Sequence, residues 1–370
     1  MTARPQVIMV GTSLDLEGGV AAMISLYRDS KFFERWRVEY IPTNCGGSTL
    51  RKTGSLIIAA ERFLSLLLRD EGNIIHVHTS SYSSFWRKSL FLAPAFFARR
   101  PVVVTLHGGE FRYFYSNKCG PVGKWWIRTV VKKAARFVVL TDGWKQWVLS
   151  IVPDARVCII PNACLDPIYS RVARHSDRNG ANVLFLGRLE KSKGFRDLLL
   201  AVASVRKEIP AIRLICAGAG NENEVETWIR AAGVEDIVEM RGWVSGTGKS
   251  ECFMRANLLA LPSYAENLPM VILEAMAAEV PVIASTVGGI PDVIENEKDG
   301  ILMQPGDVQG LAQAIIRLLN NQQLREQIAR NGRRKYEKFY SPPSVIPQLE
   351  AVYRELGSVP SGTFIEEHEA

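Results

Sequence analysis

The sequence predicts an α/β protein built from two doubly wound parallel sheets, on three observations. The chain has 370 residues, beyond the ~250–300 residues at which a single apolar core stops growing. Short runs rich in Val, Ile and Leu alternate throughout with longer segments of helical period. That alternation runs twice, on either side of a polar, charged stretch at 166–180 that carries no apolar period and reads as a linker. In the first half, strands are expected at 7–10, 38–41, 74–77, 102–106, 137–140 and 157–160, with helical segments at 19–27, 56–68 and 124–135. In the second, strands are expected at 182–186, 212–217, 237–240, 258–261, 282–284 and 300–303, with helices near 194–207, 222–232, 269–279 and 308–319. Beyond Pro342 and Pro343, the apolar residues Val345, Ile346, Leu349, Val352, Tyr353 and Leu356 recur at helical spacing. Residues 341–357 should therefore form a helix that needs an apolar surface to dock on. The expected domains are 1–165 and 181–340, joined by 166–180, with 358–370 a frayed tail.

Hydrophobic residues make up 47% of the chain, an ordinary globular value that excludes fibrous and disordered classes. No stretch reaches the ~18 uninterrupted apolar residues of a membrane span: Glu61 and Arg62 interrupt 55–68, and Pro94 lies in the short run 89–98. The first eleven residues lack the long apolar region of a secretory signal, so a cytoplasmic protein is expected. The six cysteines are scattered without a Cys-x-x-Cys pair, which indicates neither a disulfide framework nor a zinc site. Residues 1–178 hold 25 Lys+Arg against 13 Asp+Glu, whereas 179–370 hold 20 against 25. The basic excess concentrates in 99–136, where Phe111, Tyr113, Phe114, Tyr115, Trp125 and Trp126 are interleaved with cations. Such a face suits an anionic membrane surface, to which each nearby Lys or Arg contributes roughly 1 kcal/mol. No nucleic-acid-binding signature accompanies it, and no nucleic-acid partner is expected.

In open α/β sheets ligands bind beyond the carboxyl ends of the strands, and five strand ends carry polar groups with a possible task. The first strand leads into a loop in which Gly18 and Gly19 open the next helix, leaving bare backbone N–H groups for a phosphate or sugar. The strand 102–106 ends at His107-Gly108-Gly109, a histidine placed to hydrogen-bond substrate or move a proton. His76 and His78 share one face of their strand and read as core residues. After 182–186, Arg188 and Lys193 can converge on one anion such as a departing diphosphate. Gly218-Ala-Gly220 begins like a dinucleotide fingerprint, but Asn223 occupies the third glycine position, so no NAD site is read there. The strand 258–261 leads to Glu266, then Asn267-Leu268-Pro269 and a helix carrying Met270, Val271 and Glu274. Ionised carboxylates only accept hydrogen bonds, so Glu266 and Glu274 suit hydroxyl-rich ligands.

The spacing Glu266-x7-Glu274, the continuation to Gly288-Gly289 and the ordered series Gly18-Gly19, His107-Gly108, Pro161-Asn162, Gly187-Arg188, Lys193-Gly194 and Gly218-Ala-Gly220 resemble the retaining glycosyltransferases of family 4. The likeness spans roughly 7–335 and is most specific over 258–300. It implies the GT-B fold: two Rossmann-like domains facing across a cleft, with the terminal helix crossing back to the N-terminal domain. It further implies a nucleotide diphosphate sugar donor, held mainly by the second domain, and an acceptor on the first. By position, Glu266 would meet sugar hydroxyls, Glu274 the ribose, and Arg188 and Lys193 the diphosphate. Asn267, Leu268, Met270 and Val271 would line the donor, His107 would lie beside the transferred sugar, and Gly18 and Gly19 would serve donor and acceptor. The chain departs from the common pattern in Asn-Leu-Pro after Glu266, where Gly-Phe-Gly is usual, in Asp292 for Glu and in Ala163 for Gly. Pro269 lacks an N–H, which removes one donor to the ligand.

The resemblance implies transfer with retention, with no residue suited as a covalent nucleophile and a front-face route assisted by the diphosphate. No Asp-x-Asp occurs in the chain, so neither metal nor cofactor is expected. Together with the basic N-terminal half, it points to a hexosyltransferase acting on a lipid-linked saccharide in cell-surface polysaccharide synthesis, peripheral on the inner face of the cytoplasmic membrane. The competing readings are a nucleotide-sugar epimerase of the same fold, a dinucleotide-dependent oxidoreductase and a sugar-binding protein without chemistry.

Overall fold

The computed structural model describes residues 6–16, 18–69, 74–166 and 180–357. The chain divides into two compact units, Met1–Ala163 with Pro342–Ala370, and Cys164–Ser341. The tail 358–370 and all but the ends of the expected linker (167–179) lie outside the described residues.

The first unit holds six parallel strands, β1 (Val7–Gly11), β2 (Val38–Pro42), β3 (Ile74–Thr79), β4 (Val102–Leu106), β5 (Arg136–Val139) and β6 (Val157–Ile159), in the order β2-β1-β3-β4-β5-β6. Strand residues alternate between two cores, as the period of two requires. Ile8 and Val10 join Val77, Val104, Phe63 and Phe91 on one face. Val7 and Met9 join Val103, Val138 and Trp36 on the other. Burial on both faces explains why β1 is apolar throughout and β4 apolar except at Thr105. The helix Pro342–Glu355 belongs to this unit and covers the second face with Val345, Ile346, Leu349, Val352 and Tyr353.

The second unit repeats the architecture with β7 (Ala181–Leu186), β8 (Ile212–Ala217), β9 (Val238–Met240), β10 (Leu258–Leu261), β11 (Val282–Ser285) and β12 (Ile301–Met303), all parallel, in the order β12-β11-β10-β7-β8-β9. Strand order reverses between β1 and β3 in the first sheet and between β7 and β10 in the second. A crevice forms outside the carboxyl ends of strands at such a switch point.

The apolar-run reading did not anticipate the helices Ser83–Phe97, Asp142–Ile151, Gly246–Arg255 and Gln322–Phe339. In Gly246–Arg255 only Cys252 and Phe253 are buried, too few apolar positions to show a period. The helix expected from 269 spans Met270–Ala277, with Pro269 one position before it in extended conformation. The segment expected at 56–68 starts at Thr49, where the Ser48 hydroxyl caps the helix by accepting from the Arg51 N–H.

Candidate active site

At the β7/β10 switch point two loops are pressed together by glycines. The 3₁₀ turn Lys191–Lys193 ends at Gly194, whose φ is +68° and where a Cβ would lie 2.0 Å from the Pro262 carbonyl oxygen. Only glycine accepts both the left-handed backbone and that approach. The Tyr264 N–H donates to the Ser192 carbonyl at 2.9 Å, which completes the seam. This seam brings Lys193 to Glu266: Nζ donates to Oε1 at 2.6 Å, and the Ser263 hydroxyl donates to the same oxygen at 2.9 Å. The Glu266 side chain is 10% exposed, and its Oε2 has no hydrogen-bond partner among the described residues. Burial raises the worth of this charge pair and also the cost of breaking it, since the survivor would be a desolvated charge.

Behind Glu266 the backbone is held by Gly288, with φ +57° and a notional Cβ 1.7 Å from the Glu266 carbonyl oxygen. The Gly289 N–H donates to the Asn267 carbonyl at 2.9 Å. Asn267 and Leu268 are buried. Met270 and Val271 begin a helix that no side chain caps. Glu274, on the same helix, accepts from Lys249 Nζ at 2.8 Å. Sequence reasoning missed Lys249: its partner is 25 residues away, and the helix Gly246–Arg255 that carries it has no apolar period to announce it. Arg188 and Lys193, expected to converge on one anion, hold different carboxylates here. Arg188 pairs with Glu190 at 3.1 Å and is exposed, while Lys193 is committed to Glu266. Gly187 and Gly218 serve packing, since a Cβ on Gly218 would lie 1.7 Å from the Gly187 carbonyl oxygen.

The first unit has its own constellation at the β1/β3 switch point. A pocket of about 210 Å³ is lined by Thr12, Gly18, Gly19, His78, Arg87 and Lys88 among others. Gly18, at φ +142°, precedes the helix Gly19–Asp29, which no side chain caps. His107 is half-buried, and its Nε2 shares a 2.9 Å hydrogen bond with His78 Nδ1. His76 lies 4.2 Å from His78, ring to ring, and bonds Tyr353 Oη at 2.6 Å and Thr105 Oγ1 at 2.8 Å. Burial first, then the neighbouring imidazoles and Lys88, pushes His78 well below the ordinary histidine range. Burial also lowers His107 to about 4, helped by the Lys88 charge, so both are neutral at pH 7. His76 is a core residue, as its strand face implies; His78 is equally buried yet lines the pocket.

In the second unit, then, two carboxylates are each anchored through one oxygen by a lysine, while the other oxygen remains able to accept from a hydroxyl. The first unit presents an uncapped helix start beside neutral imidazoles.

Comparison with known proteins agrees with this architecture. Residues 23–164 match the family described as Glycosyltransferase Family 4, and residues 171–335 match Glycosyl transferases group 1. The chain is 29% identical to the alpha-D-kanosaminyltransferase of Streptomyces kanamyceticus, over 70% of this chain and 71% of that protein. It is 26% identical to the phosphatidyl-myo-inositol mannosyltransferase of Mycobacterium leprae, over 86% and 82%. Its fold resembles that of a sucrose-phosphate synthase from Thermosynechococcus elongatus, with TM-score 0.78, 19% identity and coverage of 95% and 99%. It also resembles that of Anabaena HepE, solved with UDP and glucose, with TM-score 0.73, 20% identity and coverage of 94% and 99%. With one unit matching each of the two family models on paired doubly wound sheets, the chain belongs to the family 4 glycosyltransferases of GT-B fold.

Proposed function

We propose that this glycosyltransferase moves a hexose from a nucleotide diphosphate sugar, UDP- or GDP-linked, to a lipid-linked saccharide, with retention of configuration and without a metal ion. The observation that carries the reading is the pair of lysine-anchored carboxylates at the β7/β10 switch point. Glu266 accepts from hydroxyls of the donor sugar through its open oxygen, and Glu274 from the ribose. Lys193 and Arg188 neutralise the diphosphate as charge develops on it, the task a metal ion performs elsewhere. Glu266 Oε1 already accepts from Lys193 and Ser263, which holds the group as an oriented acceptor rather than an attacking nucleophile. The departing diphosphate then takes the acceptor's proton on the same face of the sugar. His107, neutral at working pH, offers a hydrogen bond to a sugar oxygen beside the Gly18-Gly19 turn.

A lipid-borne acceptor is supported by the surface of the first unit. Trp86, Val122, Trp125 and Tyr113 are exposed. Trp86 lies against Gly123, next to Val122, and Lys118 and Lys124 sit over the Tyr113 and Tyr115 rings. Exposed Trp and Tyr rimmed by lysine match the headgroup level of an anionic bilayer. The mannosyltransferase relative is named for a lipid as well. The enzyme would thus work at the inner face of the cytoplasmic membrane in polysaccharide assembly.

The test is binding and hydrolysis of a panel of UDP-, GDP- and ADP-sugars in EDTA, comparing the intact chain with Glu274→Ala. One donor should bind selectively and bind at least about tenfold more weakly in the variant. Equal binding in both proteins, or turnover abolished by EDTA, would overturn the assignment.

A further inference from the structure

We propose that the pocket at the β1/β3 switch point is a phosphoryl-binding site for the acceptor, with Lys88 and Arg87 as its cationic ligands, separate from the residues that hold the donor diphosphate. The proposal rests on the glycosyltransferase reading only for the identity of the molecule that carries the phosphoryl group.

Lys88 lines the pocket and is 1% exposed. It has neither an ion pair nor a hydrogen bond among the described residues, although many other lysines and arginines are paired. A lysine is almost never buried without a partner, because desolvating an ammonium costs several kcal/mol. Its neighbour Arg87 also lines the pocket, and among the described residues its side chain makes one hydrogen bond, at 3.4 Å to the Thr43 hydroxyl. His78 Nε2 is buried there without a partner as well. Ser80 and Ser84 add hydroxyls, while the Thr12 hydroxyl donates to Asn44 Oδ1 at 2.7 Å, and Gly18 and Gly19 add an uncapped helix start. No Asp or Glu lines this pocket among the described residues. Two adjacent cations and hydroxyl donors, with no acid among the described residues, make up the donor set of an anion site, and a tetrahedral phosphoryl group has the oxygens to satisfy all of them.

A pocket of about 210 Å³ falls below the ~300 Å³ at which whole-ligand sites begin. That is room for a phosphoryl group with its nearest atoms. Burial, with help from Arg87, lowers Lys88 to about 7. Among the described residues the other titratable groups facing it are His78 from β3, His107 after β4 and Arg87 on its own helix, none of them acidic. An anion bound beside Lys88 must raise its pKa again, so binding at pH 8 draws a proton from solvent.

Isothermal titration of the full chain with inorganic sulfate at pH 8, in two buffers of different ionisation enthalpy, reads that proton directly, because sulfate does not titrate there. The expected result is binding with uptake approaching one proton. Lys88→Met should weaken it by about tenfold or more and abolish the uptake. Arg87→Gln should weaken it while retaining the uptake, and gives a second reading should Lys88→Met prove unstable. Arg188→Ala, whose pair with Glu190 is exposed, should change neither. A short-chain prenyl-diphosphate saccharide should displace the sulfate, while the free saccharide and UDP should not. Binding that persists unchanged in both Lys88→Met and Arg87→Gln, or is lost in Arg188→Ala, or is competed by UDP, overturns the proposal. If the donor panel is silent but lysine-dependent sulfate binding remains, the functional reading has failed and the anion site stands.

Discussion

At the scale of single residues, the candidate site depends on charges removed from water. Among the described residues, Lys193→Ala leaves the Glu266 carboxylate with the Ser263 hydroxyl as its one partner. Losing one partner of a buried pair costs ~3–5 kcal/mol, and losing the charge on the leaving diphosphate costs ~10²-fold or more in kcat. Arg188→Ala, whose pair with Glu190 is exposed, should lower kcat with a stability change within about 0.5 kcal/mol. Thermal melts run beside steady-state kinetics separate the two effects. The imidazole chain sets a pH dependence of a definite sign. Burial lowers His76 to about 3, so the unfolded chain takes up a proton near the ordinary histidine pKa while the folded chain stays neutral. Stability contributed by His76 is complete above about pH 6.5 and is lost as pH falls from there toward 3, at roughly 1.4 kcal/mol per pH unit. The fall in melting temperature between pH 7 and pH 5 should be shallower in His76→Gln by about one proton's worth of slope.

At the scale of elements, loops and helix ends carry the site, and glycines set their spacing. Gly288→Ala places a methyl group against the Glu266 carbonyl at a backbone angle that alanine disfavours. It should lower donor affinity and destabilise the fold by about 1–3 kcal/mol, whereas Gly233→Ala, at φ +64° with open space around it, should cost only its backbone strain of about 1 kcal/mol. Binding measured on both variants distinguishes displacement of Glu266 from mere loss of stability. The helix Pro342–Glu355 acts as a cover for the first sheet. Tyr353 packs edge-on against Trp36 at 5.2 Å and bonds His76, and the buried Glu350 is paired with Arg35 at 3.0 Å and Arg354 at 3.2 Å. Ending the chain at 341 would bare Trp36, Phe32 and Met9 together. The prediction is an aggregating or unfolded first unit, read by loss of near-UV circular dichroism.

At the scale of the whole molecule, the charge imbalance separates tasks. The excess of Lys and Arg belongs to residues 1–178, which also expose Trp86, Val122 and Trp125. Sedimentation with phosphatidylglycerol vesicles should bring the chain down at low salt and release it as the Debye length shrinks toward ~3 Å near 1 M. Trp125→Ser combined with Lys124→Glu should weaken the association severalfold at each ionic strength. Salt-insensitive binding, or none to anionic vesicles, would remove the membrane from the functional reading. Among the described residues no helix is long and apolar enough to cross a membrane.

Periodicity and strand-end chemistry were legible in the chain for local reasons. A buried parallel strand must be apolar on both faces, so the runs at β1, β4, β7 and β10 announce themselves, and their repetition announces two sheets. Glu266, Glu274 and Lys193 stood out because strand ends and helix starts are where polar groups reach a ligand. Contacts between distant segments left no such mark. The Lys249–Glu274 pair joins two helices across 25 residues, and the Tyr353–His76 bond spans 277. Lys88 looks like any surface lysine in the sequence, and only packing against β3 and β4 buries it beside Arg87 and the imidazoles. Which charges are desolvated, and which of them lack a partner, depends on what surrounds each group in space, and that the fold alone decides.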